Sequence, residues 1–114
     1  MPRQSVQPPK IQMTNEILFR RATTLVRRQR LAPGEALPWH RDPFHRVGVV
    51  LSGDRIEIEF RDGSETVRVP VKPGQVGWDE PPKRPHRAVN RGQEPHEEVT
   101  IFYRPDAVPQ PQDD

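Results

Sequence analysis

Proline placement is the feature that most limits what this chain can fold into. Fifteen of the 114 residues are proline, and they lie near both ends and between the apolar stretches. Proline fixes φ and donates no backbone hydrogen bond, so it interrupts helices and is tolerated at the starts, edges and turns of β-structure. The chain is therefore predicted to be all-β, with short strands separated by proline-containing connections.

A β-hairpin is the clearest local prediction. Apolar and charged residues alternate in residues 55–61 and again in 65–71, and the connection between them contains Gly63. Period-2 alternation on both sides of a glycine turn is typical of two paired strands. The outward charges Glu57 and Arg68 are expected to pair across the strands.

Further strand-like segments occur at 24–31, 46–51, 75–79, 84–89 and 99–103. Segment 15–21 fits either an edge strand or one helical turn, because it is too short for periodicity to decide. Many short strands at regular spacing are typical of a sandwich or barrel.

The length fits one domain, since domains commonly contain about 100–150 residues. Residues 1–12 and 105–114 carry no periodic apolar pattern and are expected to be mobile tails. The folded unit is predicted to span residues 13–104.

Composition narrows the classes of function. The chain has no cysteine, which excludes a disulfide scaffold, a thiolate metal site and a cysteine nucleophile, so any metal must be bound by His, Asp or Glu.

The longest apolar run, residues 47–51, is far shorter than the roughly 18 residues of a membrane helix, and the first ten residues lack the apolar core of a signal peptide. A cytoplasmic protein without membrane contact is expected.

A nucleic-acid partner is not expected, because the net charge is only +2. The basic cluster between Arg20 and Arg30 is explained better by a solvated strand face or by contact with a second subunit.

Two histidine side chains and one aspartate side chain are candidate ligands for a metal ion. His40 and Asp42 are two residues apart, so in an extended strand both project to one side. His86 comes from a separate segment. Two histidines and one carboxylate form the facial triad of ligands, which leaves coordination positions of the metal open for substrate or oxygen. The alternatives are a hydrogen-bonded structural role for His40 and a turn-initiating role for Asp42 before Pro43.

The two segments resemble the paired motifs of the cupin superfamily, G-x5-H-x-H-x3,4-E-x6-G and G-x5-P-x-G-x2-H-x3-N. Positions that match the first motif are Gly34, His40, Asp42 (at the second His) and Gly53. Positions that match the second are Gly74, Pro82, His86 and Asn90. The resemblance implies a single-domain double-stranded β-helix, or jelly-roll barrel, in which inward side chains from both motifs meet at one site.

The resemblance also implies a divalent transition metal (Fe, Mn, Ni or Zn) bound by His40, Asp42 and His86. The usual glutamate ligand falls on Arg46 or Val47, and neither can bind a metal. His45 is the candidate fourth ligand if a bulge near Pro43 shifts the alternation by one residue.

Arg46 and Trp78 are the candidate substrate-binding residues. If Arg46 points inward, it can pair with Asp42 or hold a substrate carboxylate, and a fixed guanidinium charge there weakens the case for a metal. If it points outward, it is an ordinary surface charge. Trp78 is expected at the barrel mouth or in the core, and His96 in a solvated loop.

The residues and the resemblance are compatible with three functions. One is a metal-dependent oxidoreductase, dioxygenase-like, or an isomerase acting on a small organic acid or sugar-like compound. Another is an iron and 2-oxoglutarate oxygenase, which uses a similar H-x-D pattern with a distant histidine. The last is a metal-free binding or sensor module for a small anion. A homodimer is expected, because pairing protects an exposed edge strand.

Overall fold

The computed structural model describes residues 8–41, 45–79 and 84–103. In chain order the strands are β1 (Lys10–Ile11), β2 (Thr14–Arg21), β3 (Thr24–Leu31), β4 (Glu35–Ala36), β5 (His45–Ser52), β6 (Arg55–Phe60), β7 (Thr66–Pro70), β8 (Val76–Asp79), β9 (His86–Asn90) and β10 (His96–Tyr103). They form two five-stranded sheets: sheet I, with the order β1-β4-β9-β6-β7, and sheet II, with the order β2-β3-β10-β5-β8. The prediction of an all-β fold is confirmed.

The predicted hairpin is β6 paired antiparallel with β7, and Glu57 lies opposite Arg68. Gly63 adopts a φ of 73°, and the backbone N–H of Ser64 donates a 2.9 Å hydrogen bond to the Asp62 carboxylate. The turn therefore uses the glycine for a left-handed conformation and the aspartate to hold the backbone. The expected ion pair joins Arg68 Nε and Glu57 Oε2 at 3.6 Å.

The segment that periodicity left open is a strand. β2 pairs antiparallel with β3 at the edge of sheet II, with an irregularity between Ile17 and Phe19. All of its residues are exposed. Pairing with a long neighbouring strand, rather than any local preference, determines its conformation.

Part of the predicted N-terminal tail is hydrogen-bonded. Lys10 and Ile11 pair in parallel with Glu35 and Ala36, and the backbone N–H of Lys10 donates to the Gly34 carbonyl at 2.9 Å. The paired structure thus begins before residue 13. Residues 1–7 and 104–114, where most of the tail predictions fall, lie outside the described residues.

Alternation along the strands separates an inner face from an outer face. The inward residues of β3, β5 and β10 line a cavity between the two sheets with a volume of about 540 Å³. The buried apolar residues are Leu25, Leu31, Ala36, Val50, Val71, Val89 and Phe102. The core is small, as expected for a short and highly charged chain.

Asn90, the last residue of the second motif, has a structural role. It is fully buried, and its Nδ2 donates 2.9 Å hydrogen bonds to the carbonyls of Leu31 and Glu94. Its Oδ1 accepts a 2.9 Å bond from the backbone N–H of Gly92. One amide group therefore fixes the connection between β9 and β10 against β3.

Position 53, the closing glycine of the first motif, requires glycine because of its backbone conformation and because neighbouring side chains leave no space for a Cβ. Its φ is +135°, and a Cβ at this position would lie 2.7 Å from Nδ1 of His96 and 3.3 Å from a methyl group of Val71. A larger residue would displace the buried His96 side chain.

Among the described residues, the structure contains no helical segment with the length and hydropathy needed to span a bilayer.

Candidate ligand-binding cavity

His40 and His86 meet at one wall of the cavity. The backbone N–H of each donates a 2.9 Å hydrogen bond to the carbonyl of the other, so the two residues form an isolated antiparallel bridge. Their ring centroids are 4.6 Å apart, and both side chains line the cavity. The structure thus brings together the two histidines of the motifs.

Backbone carbonyls orient both rings. Nδ1 of His40 lies 2.8 Å from the Pro38 carbonyl oxygen, and Nδ1 of His86 lies 3.1 Å from that of Arg84. A carbonyl oxygen only accepts, so each Nδ1 carries a proton and donates. In the neutral rings Nε2 is then the nitrogen with the lone pair, which is the arrangement found around metal-binding and ligand-binding histidines.

Arg46 points into the cavity. Its neighbours in the inward set of β5 are Gly48 and Val50, and it lies opposite Phe102 in the register with β10. The side chain therefore has the inward orientation rather than the outward one. A guanidinium therefore lies on the cavity wall at one of the two positions where the motif spacing places a glutamate ligand.

Two more arginines line the same cavity. Arg27 is buried on β3, and its guanidinium carbon lies 4.6 Å from the centroid of the Phe102 ring. Arg41 follows His40 directly. Among the described residues, the lining therefore includes three arginines and one acidic residue, Glu98.

Glu98 is held by His96. His96 Nε2 lies 2.8 Å from Glu98 Oε1, and both residues line the cavity. The carboxylate lies over Gly48, where a Cβ would overlap it. Glycine at position 48 therefore leaves the space that the Glu98 side chain occupies.

The expected position of His96 is corrected by the structure. It is buried at the start of β10 rather than in a solvated loop, because β10 begins at residue 96 and not at residue 99. The sequence signal for this was the spacing of two between the inward residues His96, Glu98, Thr100 and Phe102. Alternation of apolar and polar residues does not identify this inward face, because three of its four residues are polar.

His45 and Trp78 lie on the other face of sheet II, which also corrects the sequence-based expectation. Their rings stack with centroids 5.5 Å apart, and Trp78 also stacks on Tyr103 at 6.2 Å. The register of β5 is regular from His45 to Val50, so no bulge within the strand turns His45 inward. Neither the candidate fourth metal ligand nor the candidate substrate contact Trp78 faces the cavity.

The structure therefore describes only part of the predicted set of metal ligands. His40 and His86 are together, whereas Asp42 lies outside the described residues, as does Pro82 of the second motif. Within the part of the chain that the structure describes, no group of three His, Asp or Glu side chains could hold a metal ion.

A single all-β domain with two facing sheets, an internal cavity and a histidine pair from two separated motifs defines a small-barrel protein of the double-stranded β-helix class. The family model described as "Cupin domain" matches residues 27–102. The chain belongs to the cupin family.

Solved structures share this fold. A cupin domain from Bordetella pertussis is 19% identical, with 88% of this chain and 99% of that chain covered and a TM-score of 0.72. A conserved protein with a double-stranded β-helix domain from Klebsiella pneumoniae is 21% identical, with 90% and 80% covered and a TM-score of 0.65. A protein of unknown function from Streptococcus pyogenes is 26% identical, with 84% and 77% covered and a TM-score of 0.60. The comparison with curated proteins gives no match.

Proposed function

We propose that this cupin binds a small organic anion, specifically a carboxylate, inside its barrel, with Arg46 as the principal contact. The observation that carries the proposal is the inward guanidinium of Arg46, at one of the two positions where the motif spacing places the usual glutamate ligand. This exchange replaces a negative metal ligand with a permanently positive hydrogen-bond donor.

The chemistry of the lining supports an anionic ligand. Guanidinium groups stay protonated and present two parallel N–H donors that match the two oxygens of a carboxylate. Arg27, Arg41 and Arg46 outnumber the single described carboxylate of the lining, Glu98. Between the two sheets the effective dielectric is lower than in water, so a guanidinium group there attracts an anion more strongly than one on the surface does.

The rest of the lining suits a small carbon skeleton. Ile56, Ile58 and Val69 give apolar contact area, while Gln29 and Gln75 offer amide groups that can hydrogen-bond to polar substituents. A mostly apolar wall with a few polar groups is typical of small-molecule sites. The cavity volume of about 540 Å³ is ample for a metabolite-sized acid.

The test is a calorimetric titration of metal-free protein with succinate and, separately, with its neutral diamide, succinamide. We expect saturable binding of succinate that weakens as salt is added, because the attraction is electrostatic. Succinamide has the same skeleton without the charge and is expected to bind far more weakly. Equal binding of both compounds, or binding of neither succinate nor the related probes acetate and citrate, would contradict the proposal.

A second candidate function is divalent-metal binding at His40 and His86. It is favoured by one observation: both rings donate Nδ1–H to backbone carbonyls, the pattern that orients histidines toward metals. If bound, a metal would polarise a ligand oxygen. Arg46 on the same cavity wall disfavours this candidate, because its charge repels a divalent cation.

Elemental analysis distinguishes the two candidates. Protein purified without chelator should contain only traces of Fe, Mn, Ni or Zn if the anion proposal is correct. Metal in stoichiometric amount that is lost in His40→Gln, with an unchanged circular dichroism spectrum, would instead support the metal site.

A further inference from the structure

Glu98 is the one acidic residue in the described lining of a cavity that otherwise favours anions. It is paired in register with Val50, but its carboxylate lies where a Cβ on Gly48 would be, which is the next inward position of β5 towards Arg46. Inward positions two residues apart on a strand are separated by about 7 Å. The Glu98 carboxylate and Arg46 therefore occupy neighbouring positions on the cavity wall, and one small molecule can contact both.

His96 holds the Glu98 carboxylate in place. The His96 ring is buried, and its Nε2 lies 2.8 Å from Oε1 of Glu98. Its Nδ1 lies beside Gly53 and has no hydrogen-bond partner among the described residues. A proton on Nδ1 would be an unsatisfied buried donor, so the neutral ring carries its proton on Nε2 and donates it to Oε1. This bond leaves Oε2, over Gly48, as an acceptor in the cavity with a fixed orientation.

An ionised carboxylate in an anion site is unfavourable unless the ligand also carries a hydrogen-bond donor. The Glu98 carboxylate repels a ligand carboxylate, whereas a ligand hydroxyl can donate to it in a strong, charge-assisted hydrogen bond. An ammonium group could donate as well, but its charge would be repelled by Arg27, Arg41 and Arg46. A neutral hydroxyl beside a carboxylate therefore suits both the basic and the acidic part of the lining.

We propose that Glu98 makes the cavity specific for hydroxycarboxylates, with the ligand carboxylate on Arg46 and the ligand hydroxyl donating to Oε2 of Glu98. This inference rests on the proposed anion site and adds the class of carboxylate that the site selects. His96 acts as a positioning residue, because it orients the acceptor without touching the ligand. A site built to hydrogen-bond a ligand hydroxyl discriminates against the analogue that lacks it, because the acceptor is then left without a donor.

The test is calorimetric titration of the metal-free protein with three acids that share one carbon skeleton: succinate, malate and aspartate. Malate is succinate with one added hydroxyl, and aspartate is succinate with one added ammonium group. Both enantiomers of malate and aspartate are measured, and the tighter one of each is compared. We expect malate to bind roughly ten- to one-hundredfold more tightly than succinate, which corresponds to one hydrogen bond to a charged group. Aspartate should bind more weakly than malate.

Two variants remove the acceptor. In Glu98→Gln the amide oxygen accepts from His96, so an uncharged NH₂ group replaces Oε2, and Glu98→Met fills a similar space with no carboxylate at all. In both variants the preference for malate over succinate should disappear. Succinate itself should bind at least as tightly as in the unsubstituted protein, because a negative charge has been removed from the cavity. Glu16→Gln, exposed on β2, is the matched control and should change neither affinity.

Several results would overturn this inference. They are malate binding no tighter than succinate binding, aspartate binding tighter than malate binding, and a malate preference that persists in both Glu98 variants. An equal loss of affinity for malate and succinate in both variants would also overturn it, because Glu98 would then only support the structure. Each of these results leaves succinate binding to the unsubstituted protein intact. Failure of the anion site itself is a different result, in which none of the carboxylates binds.

Discussion

Replacing Arg46 with alanine is expected to weaken succinate binding by about one to two orders of magnitude. A hydrogen bond that involves a charged group is worth about 1.5–3 kcal/mol, and each 1.4 kcal/mol changes a dissociation constant roughly tenfold. Arg46 is half-buried in the cavity wall, so its charge acts in a site that is shielded from bulk water. Calorimetric titration of the unsubstituted and substituted proteins measures the ratio directly.

Two companion variants make the Arg46 result specific. Arg46→Lys keeps the positive charge but loses the bidentate pair of N–H donors. Its affinity for succinate should therefore lie between those of the unsubstituted protein and Arg46→Ala. Arg68→Ala removes an exposed arginine on the outside of sheet I and should leave the affinity unchanged. If Arg46→Ala binds succinate as tightly as Arg68→Ala does, Arg46 is not the principal contact.

Replacing Asn90 with alanine is expected to lower the free energy of unfolding by about 3 kcal/mol. The substitution removes three hydrogen bonds at a fully buried position and leaves the Leu31 carbonyl without its amide partner in the interior. Unsatisfied buried polar groups cost about 1–3 kcal/mol each. Urea denaturation measures the loss, and the melting temperature should fall by roughly 10 °C or more.

Controls separate the amide hydrogen bonds from the general effect of a substitution. Asn15→Ala, at an exposed position of β2, should change the free energy of unfolding by no more than about 0.5 kcal/mol. Asn90→Asp keeps an acceptor for the Gly92 N–H but loses both donated bonds, so it should remain clearly destabilised. A loss in Asn90→Ala no larger than that in Asn15→Ala would show that the connection between β9 and β10 is held by other contacts.

Local alternation was sufficient to predict most of the strands. The β6–β7 hairpin is a clear case, because apolar residues at every second position and Gly63 in the turn are visible without knowledge of the rest of the chain. The pairing of His40 with His86 was accessible only through the two motifs, since nothing local indicates which distant strands are neighbours.

The parts that the sequence did not reveal depend on tertiary context. β2 was ambiguous because its conformation is fixed by pairing with β3. The sides to which His45 and Trp78 point depend on the register of β5 against β8 and β10, which a single strand does not encode. The sequence places Arg27 in a basic surface cluster, because burial of an arginine becomes evident only when the cavity it lines is known.

The most direct test of the anion site is a crystal structure of the protein with succinate bound. We expect density for the ligand inside the barrel, with a carboxylate within hydrogen-bonding distance of the Arg46 guanidinium and near the His40 and His86 rings. Succinate found only on the outer surface of the protein, or a metal ion bound in the cavity with Arg46 turned away from it, would contradict the account.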